Sequence, residues 1–418
     1  MKRFVFFLTI IIGTVLLTSC SNKENHTDER GRQAVVLARS AQKDFTDEAA
    51  DRLIASYNSK SADYFIEERL YESGNNLMID VLAGKSPDIL MFGDWIDASS
   101  LYGKERLADI YAFIDSDGDI SRSDFVEPVL KTLETDGRLY CMPYDFSVDS
   151  AVVKTELWGD DSNTNFEHIA EISEKKGCVI PFDFTVNSYN FMNYISSEYI
   201  DFSKGKCSFD DGRFEAFLEF LNRYAVRVDN TDRDTLYNMF INDEMLMLNC
   251  GFAGFDQIDY LESDAGGKIK FIGLPSGTGN IVIPETAFGI FEQSDSKLGA
   301  FDFIKSCTSY KAYVSEAADG EFTGVYCLPI NKMALDFCYD HSLKRNSYRL
   351  SEEKKKRNND EILRQINSVR SAYFPSGNAV QTIISEETAT YFNGEKSASE
   401  VCSIIQNRVS TYLEENYG

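Results

Sequence analysis

Apolar residues along this chain fall into two alternating rhythms. Ala34-Val35-Val36-Leu37-Ala38 is an unbroken apolar run, the pattern of a strand buried on both faces of a parallel sheet. Asp47 to Tyr57 then sets Ala50, Leu53, Ile54 and Tyr57 at helical spacing, with Thr46 placed to cap the first turn. Tyr64-Phe65-Ile66 predicts a second strand. Asn76 to Ala83 predicts a short helix closed by Gly84, the residue type that best takes the left-handed conformation after a helix. Pro87 interrupts, and Ile89-Leu90-Met91 predicts a third strand. Strand–helix–strand–helix–strand with short connections reads as an α/β lobe around a parallel sheet.

The rhythm persists further on. Arg213 to Val228 predicts a helix with Phe214, Phe217, Leu218 and Leu221 on one face. Met245 to Leu248 predicts a buried strand closed by Gly251, followed by strands at Ile269–Ile272 and Thr286–Phe291 and a helix at Leu298–Cys307. Lys354-Lys355-Lys356-Arg357 is flanked by acidic residues and reads as a solvated helix face. The chain has 418 residues, more than one core usually serves, so two lobes are expected.

The first residues follow neither rhythm. Lys2 and Arg3 precede an apolar run from Phe4 to Leu17, too short for a comfortable span of about 20 residues and suited to a signal peptide. It ends in Leu17-Thr18-Ser19-Cys20, which resembles the lipobox of bacterial lipoproteins. That resemblance implies a signal peptide over 1–19, a diacylglyceryl group on the Cys20 thiol, and a new N-terminus at Cys20. Two acyl chains would hold the protein stably, where one gives only reversible attachment. Residues 20–32 are polar and without periodicity, and are expected to be a disordered tether.

A formal net charge of −25 argues against nucleic-acid binding and against lying flat on an anionic membrane. After Cys20 come Cys141, Cys178, Cys207, Cys250, Cys307, Cys327, Cys338 and Cys402, with no CxxC spacing of the kind that zinc ribbons or thioredoxin-like sites use. Scattered buried thiols are the favoured reading, with disulfide pairing left open.

Several short motifs occur in an ordered series. Ala83-Gly84-Lys85-Ser86-Pro87-Asp88-Ile89, Asp136-Gly137-Arg138-Leu139-Tyr140-Cys141-Met142-Pro143-Tyr144, Met245-Leu246-Met247 with Cys250-Gly251, Phe301-Asp302-Phe303-Ile304-Lys305 and the closing stretch from Glu386 to Glu414 resemble, in order, segments of the family 1 extracellular solute-binding proteins, the sugar-type receptors of ABC importers. Cys141 stands where that family usually has glycine. The resemblance implies an α/β, two-lobed periplasmic-binding-protein-like fold with a ligand cleft between the lobes. It places lobe one at 33–143 and 281–310, lobe two at 150–275 and 325–418, and crossing segments at 144–149, 276–280 and 311–324. It further implies a monomeric receptor without cofactor, lipid-anchored at the outer face of the cell membrane, serving ABC permease subunits and taking a small solute, in the first instance a carbohydrate.

Residues just after strand ends are those a cleft would use, since open α/β sheets bind ligands there. Asp94 and Trp95 follow the third strand: an indole packs on the apolar face of a sugar ring, and a carboxylate accepts from its hydroxyls. Trp95 as a core cap and Asp94 as a helix cap stand as the alternative. Tyr144 and Asp145 follow the crossover proline, with a structural tyrosine and a turn aspartate as the competing reading. Gly251 and Phe252 offer backbone N–H groups and an aromatic wall, and Asp183 follows Cys178–Phe182. Asp115, Asp117 and Asp119 lack EF-hand spacing and read as an acidic turn.

No HExxH or GxSxG motif occurs, and His26, His168 and His341 lie far apart. The resemblance makes a binding protein the leading reading. A surface enzyme acting on polysaccharide and a non-transport adhesin or ligand sensor are the alternatives.

Overall fold

The computed structural model describes residues 26–417, except 43–45, 94–95, 97–100, 102–105, 160–162, 183–196, 202–203, 228–232, 276–278, 318–326, 346–349 and 374–378. The first strand–helix series forms as the apolar rhythm predicts: β1 (Gln33–Ser40), α1 (Thr46–Lys60), β2 (Tyr64–Tyr71), α2 (Gly74–Leu82) and β3 (Ile89–Met91). β1 lies between β2 and β3, parallel to both. Its side chains alternate between two apolar layers, Val35 and Leu37 entering one and Ala38 the other. Gly84 has φ 72°, and four residues later Asp88 ties the sheet together, accepting from the Val36 N–H at 2.8 Å and from the Ser294 hydroxyl at 2.6 Å.

A tight turn at Asp136 (φ 51°) and Gly137 (φ 74°) then leads to three short strands in almost unbroken succession. These are β4 (Met142–Pro143), β5 (Asp145–Asp149) and β6 (Ala151–Lys154). Beyond them lie β7 (Ile180–Phe182), α3 (Arg213–Tyr224), β8 (Ala225–Arg227), β9 (Met247–Asn249), α4 (Gln257–Ala265) and β10 (Ile269–Phe271). The chain returns through β11 (Asn280–Pro284) and β12 (Ala287–Ile290), followed by α5 (Lys297–Cys307), α6 (Tyr310–Ala317), β13 (Leu328–Pro329), α7 (Glu352–Ile366), β14 (Val369–Ala372) and α8 (Ala398–Tyr417).

Among the described residues, three sheets have three or more strands. One has the order β2-β1-β3-β12-β4, and another the order β9-β6-β10. Between them in sequence stands a crossing sheet, β13-β5-β11-β14. Its strand β5 continues from β4 of the first sheet into β6 of the second, and β11 leads back from β10 towards β12. β5 and β11 pair antiparallel along their length, so outgoing and returning chain brace each other. A separate apolar core gathers Trp158, Phe209, Phe214, Phe217 and Leu221 with Val401, Ile405 and Leu413 of α8. Among the described residues no helix is long and apolar enough to cross a membrane.

Four expectations change. Residues 26–32 are not a free tether: His26 O accepts from the Ala34 N–H, Thr27 bridges Gln33, and Arg32 is buried. The helix expected to reach Val228 stops at Tyr224, because Ala225–Arg227 pairs in parallel with Ile180–Phe182. The segment 311–324, expected to cross between lobes, is helical through Ala317, and its residues from 318 lie outside the described residues. The basic run at Lys354 is not simply solvated: Lys355 is buried, and Lys354 and Arg357 pair with the buried Glu262 of α4.

Candidate ligand-binding site

Strand alternation gives the crossing sheet two unlike faces. Tyr144, Phe146 and Val148 enter an apolar core with Val282 and Leu328. Asp145, Ser147 and Asp149 therefore share the opposite face, paired across the strands with Pro329, Ile283 and Ile281. Glu285 continues that face at the end of β11. Its carboxylate accepts from the Ser147 hydroxyl at 2.5 Å, and its N–H donates to Asp145 O at 3.2 Å. Tyr373, just past β14, is fixed by its N–H to Val282 O at 2.8 Å and takes a 2.5 Å bond from the Gln381 amide. Burial pushes its hydroxyl pKa up, with Asp149 adding to the rise.

Asp145 is 4% exposed. Burial pushes its carboxyl up to about 7, although the Thr286 N–H donates to it at 2.9 Å, and the neighbouring Glu285 charge acts in the same direction as burial. Asp149 is half-buried against Gly251. A Cβ on Gly251 would stand 2.3 Å from Asp149 Oδ1 and 3.0 Å from Val148 O, so a residue without a side chain is what lets the carboxylate sit there. The result is a mixed face, on which hydrogen-bond acceptors and hydroxyls stand beside Ile281, Ile283 and Pro329, a lining that suits a ligand with both hydroxyl or N–H donors and apolar surface.

The expected site residues separate in space. Asp145 lies on the polar face, and Gly251 abuts it through Asp149. Tyr144 does not: its ring stacks on Tyr313 at 4.6 Å and 3°, on the core side. Its backbone joins three segments, donating to Thr286 O and accepting from the Ile330 N–H and the Tyr313 hydroxyl. Phe252 is likewise core, edge-on to Phe271 at 5.1 Å and bridged to Val148. Tyr144 has the parity of Phe146 rather than of Asp145, and Phe252 stands across from Val148, so both rings fall on the core face. Asp94, Trp95 and Asp183 lie outside the described residues. The strand before the first two does end at this junction, where the Phe92 N–H donates to Ala287 O.

Ser147, Asp149, Glu285 and Tyr373 were missed. The signal for the first two was present: Asp145-Phe146-Ser147-Val148-Asp149 alternates polar and apolar with period two, the mark of a half-buried strand. Glu285 and Tyr373 arrive from distant segments and carried none. Of the histidines, His26 pairs with Glu67, His168 packs on Trp158 and His341 on Phe337. Among the described residues no group of three or more His, Cys, Asp or Glu side chains is disposed to hold a metal.

A family profile described as bacterial extracellular solute-binding protein matches residues 53–343, more than half of the chain. No curated protein matches the sequence. Solved structures do. The sugar-binding protein MalE of Xanthomonas citri is 14% identical, with a TM-score of 0.62 over 92% of this chain and 98% of that one. A putative oligosaccharide periplasmic-binding protein from Synechococcus sp. MITs9220 has the same identity and TM-score over 92% of this chain and 100% of the other. An ABC substrate-binding protein from Listeria monocytogenes, solved with cycloalternan, is 14% identical with a TM-score of 0.57 over 91% and 99% of the two chains. The two-lobed α/β fold expected from the sequence is the fold of these proteins.

Proposed function

Because the chain belongs to the bacterial extracellular solute-binding proteins, we propose that it captures a sugar or oligosaccharide in a cleft floored by the Asp145–Asp149 face and delivers it to the permease of an ABC importer. The observation that carries this reading is the crossing sheet, which sets Asp145, Ser147, Asp149 and Glu285 on one face and is anchored in core on the other. Lobe one, expected at 33–143 with 281–310, and lobe two, expected at 150–275 with 325–418, would close over that floor about β5 and β11, which moves residues 281–284 from lobe one into the crossing sheet; the hinge movement would exclude water from the bound ligand. Asp145, Asp149, Glu285 and Tyr373 would supply polar contacts, Gly251 would keep room for Asp149, and Asp94, Trp95 and Asp183 are kept as further ligand contacts from the sequence alone. Tyr144 and Phe252 hold the floor from beneath.

The protein would act by binding alone, exported and held to the membrane through lipid on Cys20. Support for the ligand class comes from the donor-seeking chemistry of the floor together with the sugar-binding relatives of the same fold. A thermal-shift screen against mono- and oligosaccharides tests it. A ligand at 100 times its Kd stabilises the folded state by about 2.7 kcal/mol, a clear rise in melting temperature. Stabilisation by a different solute class, with none from any saccharide, would refute the carbohydrate assignment and leave the receptor fold intact.

A further inference from the structure

The segment leading to β1 is built into the body at one pole of the first sheet. The Asp28 carboxylate accepts from the backbone N–H groups of Arg30 and Arg32, each at 2.9 Å, and from the Arg32 guanidinium at 2.8 Å. Arg32, 8% exposed, also donates to Asn58 O at 2.6 Å and Ser61 O at 3.2 Å, at the end of α1. His26 reaches Glu67 on β2 at 3.2 Å. Gln33 begins β1 with its N–H on Asp63 O and its side chain on the Ser296 hydroxyl. The start of β1, the end of α1 and the approach to α5 thus form one surface, and residues 26–32 are clasped to it.

That pole is the N-terminal edge of β1 and β2, with β3 starting further in, opposite Leu37. The junction with the crossing sheet is at the opposite edge, eight residues of β1 away, or about 26 Å at a rise of about 3.3 Å per residue. Only six residue steps separate Cys20 from His26, a contour of at most about 22 Å at about 3.6 Å per residue. With the clasp released the first fixed residue would be Gln33, and the reach would roughly double.

We propose that His26–Arg32 is an orientation clasp: it holds the pole formed by residues 26–33, 58–63 and 296–297 against the lipid surface and keeps the Asp145–Asp149 face turned away from it. The proposal rests on the reading that Cys20 is lipidated, and it assigns this pole a phospholipid headgroup layer as its partner. It also implies that the receptor must tilt, or open the clasp, to present its cleft to a membrane-embedded permease.

Neutron reflectometry of the full acylated protein on a supported phosphatidylcholine bilayer tests it, after mass spectrometry has established acylation of Cys20. Wild type should show protein density starting within about 20 Å of the headgroups. Asp28→Ala, which removes the acceptor for three donors, should widen the gap and broaden the density profile. Inserting seven Gly/Ser residues between positions 25 and 26 leaves the clasp intact and should widen the gap to a similar extent. An unacylated Cys20 would sink the anchor reading and this proposal with it. Acylated protein whose gap is the same in wild type and Asp28→Ala, or is unmoved by the insertion, would overturn the clasp alone.

Discussion

A carboxyl group withdrawn from water holds its proton longer, and Asp145 does so at the junction of the sheets. Its pKa of about 7 lies well above the ordinary 3.8, so between those values the folded protein binds a proton that the unfolded chain releases. Stability from this group is complete below about pH 4 and is lost as pH rises to about 7. Urea unfolding across that range should show wild type losing stability, with the slope reduced in Asp145→Asn, whose amide oxygen still accepts from the Thr286 N–H. Equal slopes in the two proteins would remove Asp145 as the source. Gly251 and Asp149 make a second residue-scale case. Asp149→Ala should weaken ligand binding by about tenfold or more, since a hydrogen bond to a charged group contributes about 1.5–3 kcal/mol. Gly251→Ala should also weaken it, by displacing the Asp149 carboxylate from a position 2.3 Å from the new Cβ. If the steric account is right, the Gly251→Ala penalty shrinks in an Asp149→Ala background, so calorimetry on the four proteins should give a coupling energy; additive losses would rule it out.

At the scale of elements, the crossing sheet depends on a contact that local sequence does not announce. The Tyr313 hydroxyl, on α6, donates to Tyr144 O at 2.5 Å beneath the stacked rings. Tyr313→Phe keeps the stack and removes one buried bond, so apo stability should fall by about 0.5–1.5 kcal/mol in urea unfolding. No loss would mean that the carbonyl finds another donor. The same contact explains what could and could not be read from the chain. β1, α1, β2, α2 and β3 were legible because each buries its own apolar pattern against sequence neighbours. Residues 311–324 were expected to cross between lobes, yet they are helical through Ala317, with Tyr313 facing the sheet from one side. β13 and β14 escaped notice because two and four residues carry no periodicity; pairing with β5 and β11 alone makes them strands. The basic run at Lys354–Arg357 was misjudged for a related reason. Its acidic partner is Glu262, on α4 and far away in sequence, so a helix face that looked solvated is half buried by an ion-pair network.

Across the whole molecule, the eight cysteines beyond Cys20 are distributed among the cores and helices rather than paired. Among the described residues none is in a disulfide, six of the eight are buried, and burial pushes the Cys307 thiol well up. Alkylation in denaturant without reductant should therefore label all eight; any shortfall of two would reveal a disulfide. A core of this size holds without such staples, and among the described residues no disulfide ties the proposed lobes together. If the protein closes over its ligand, the two lobes should approach while β5 and β11 stay paired, since these strands are hydrogen-bonded antiparallel and lie on core at one face. The radius of gyration from X-ray scattering should then fall at saturating ligand, and amide exchange in Asp145–Asp149 should slow with it. Binding can drive this only through a higher affinity for the closed form: moving a population from 1:99 to 99:1 needs a preference of about 10⁴-fold. Asp149→Ala, which weakens contact with the floor, should accordingly reduce the closed fraction at a fixed ligand concentration. An unchanged scattering profile in wild type at saturation, with binding verified by calorimetry, would show that the ligand enters a cleft whose lobes do not move.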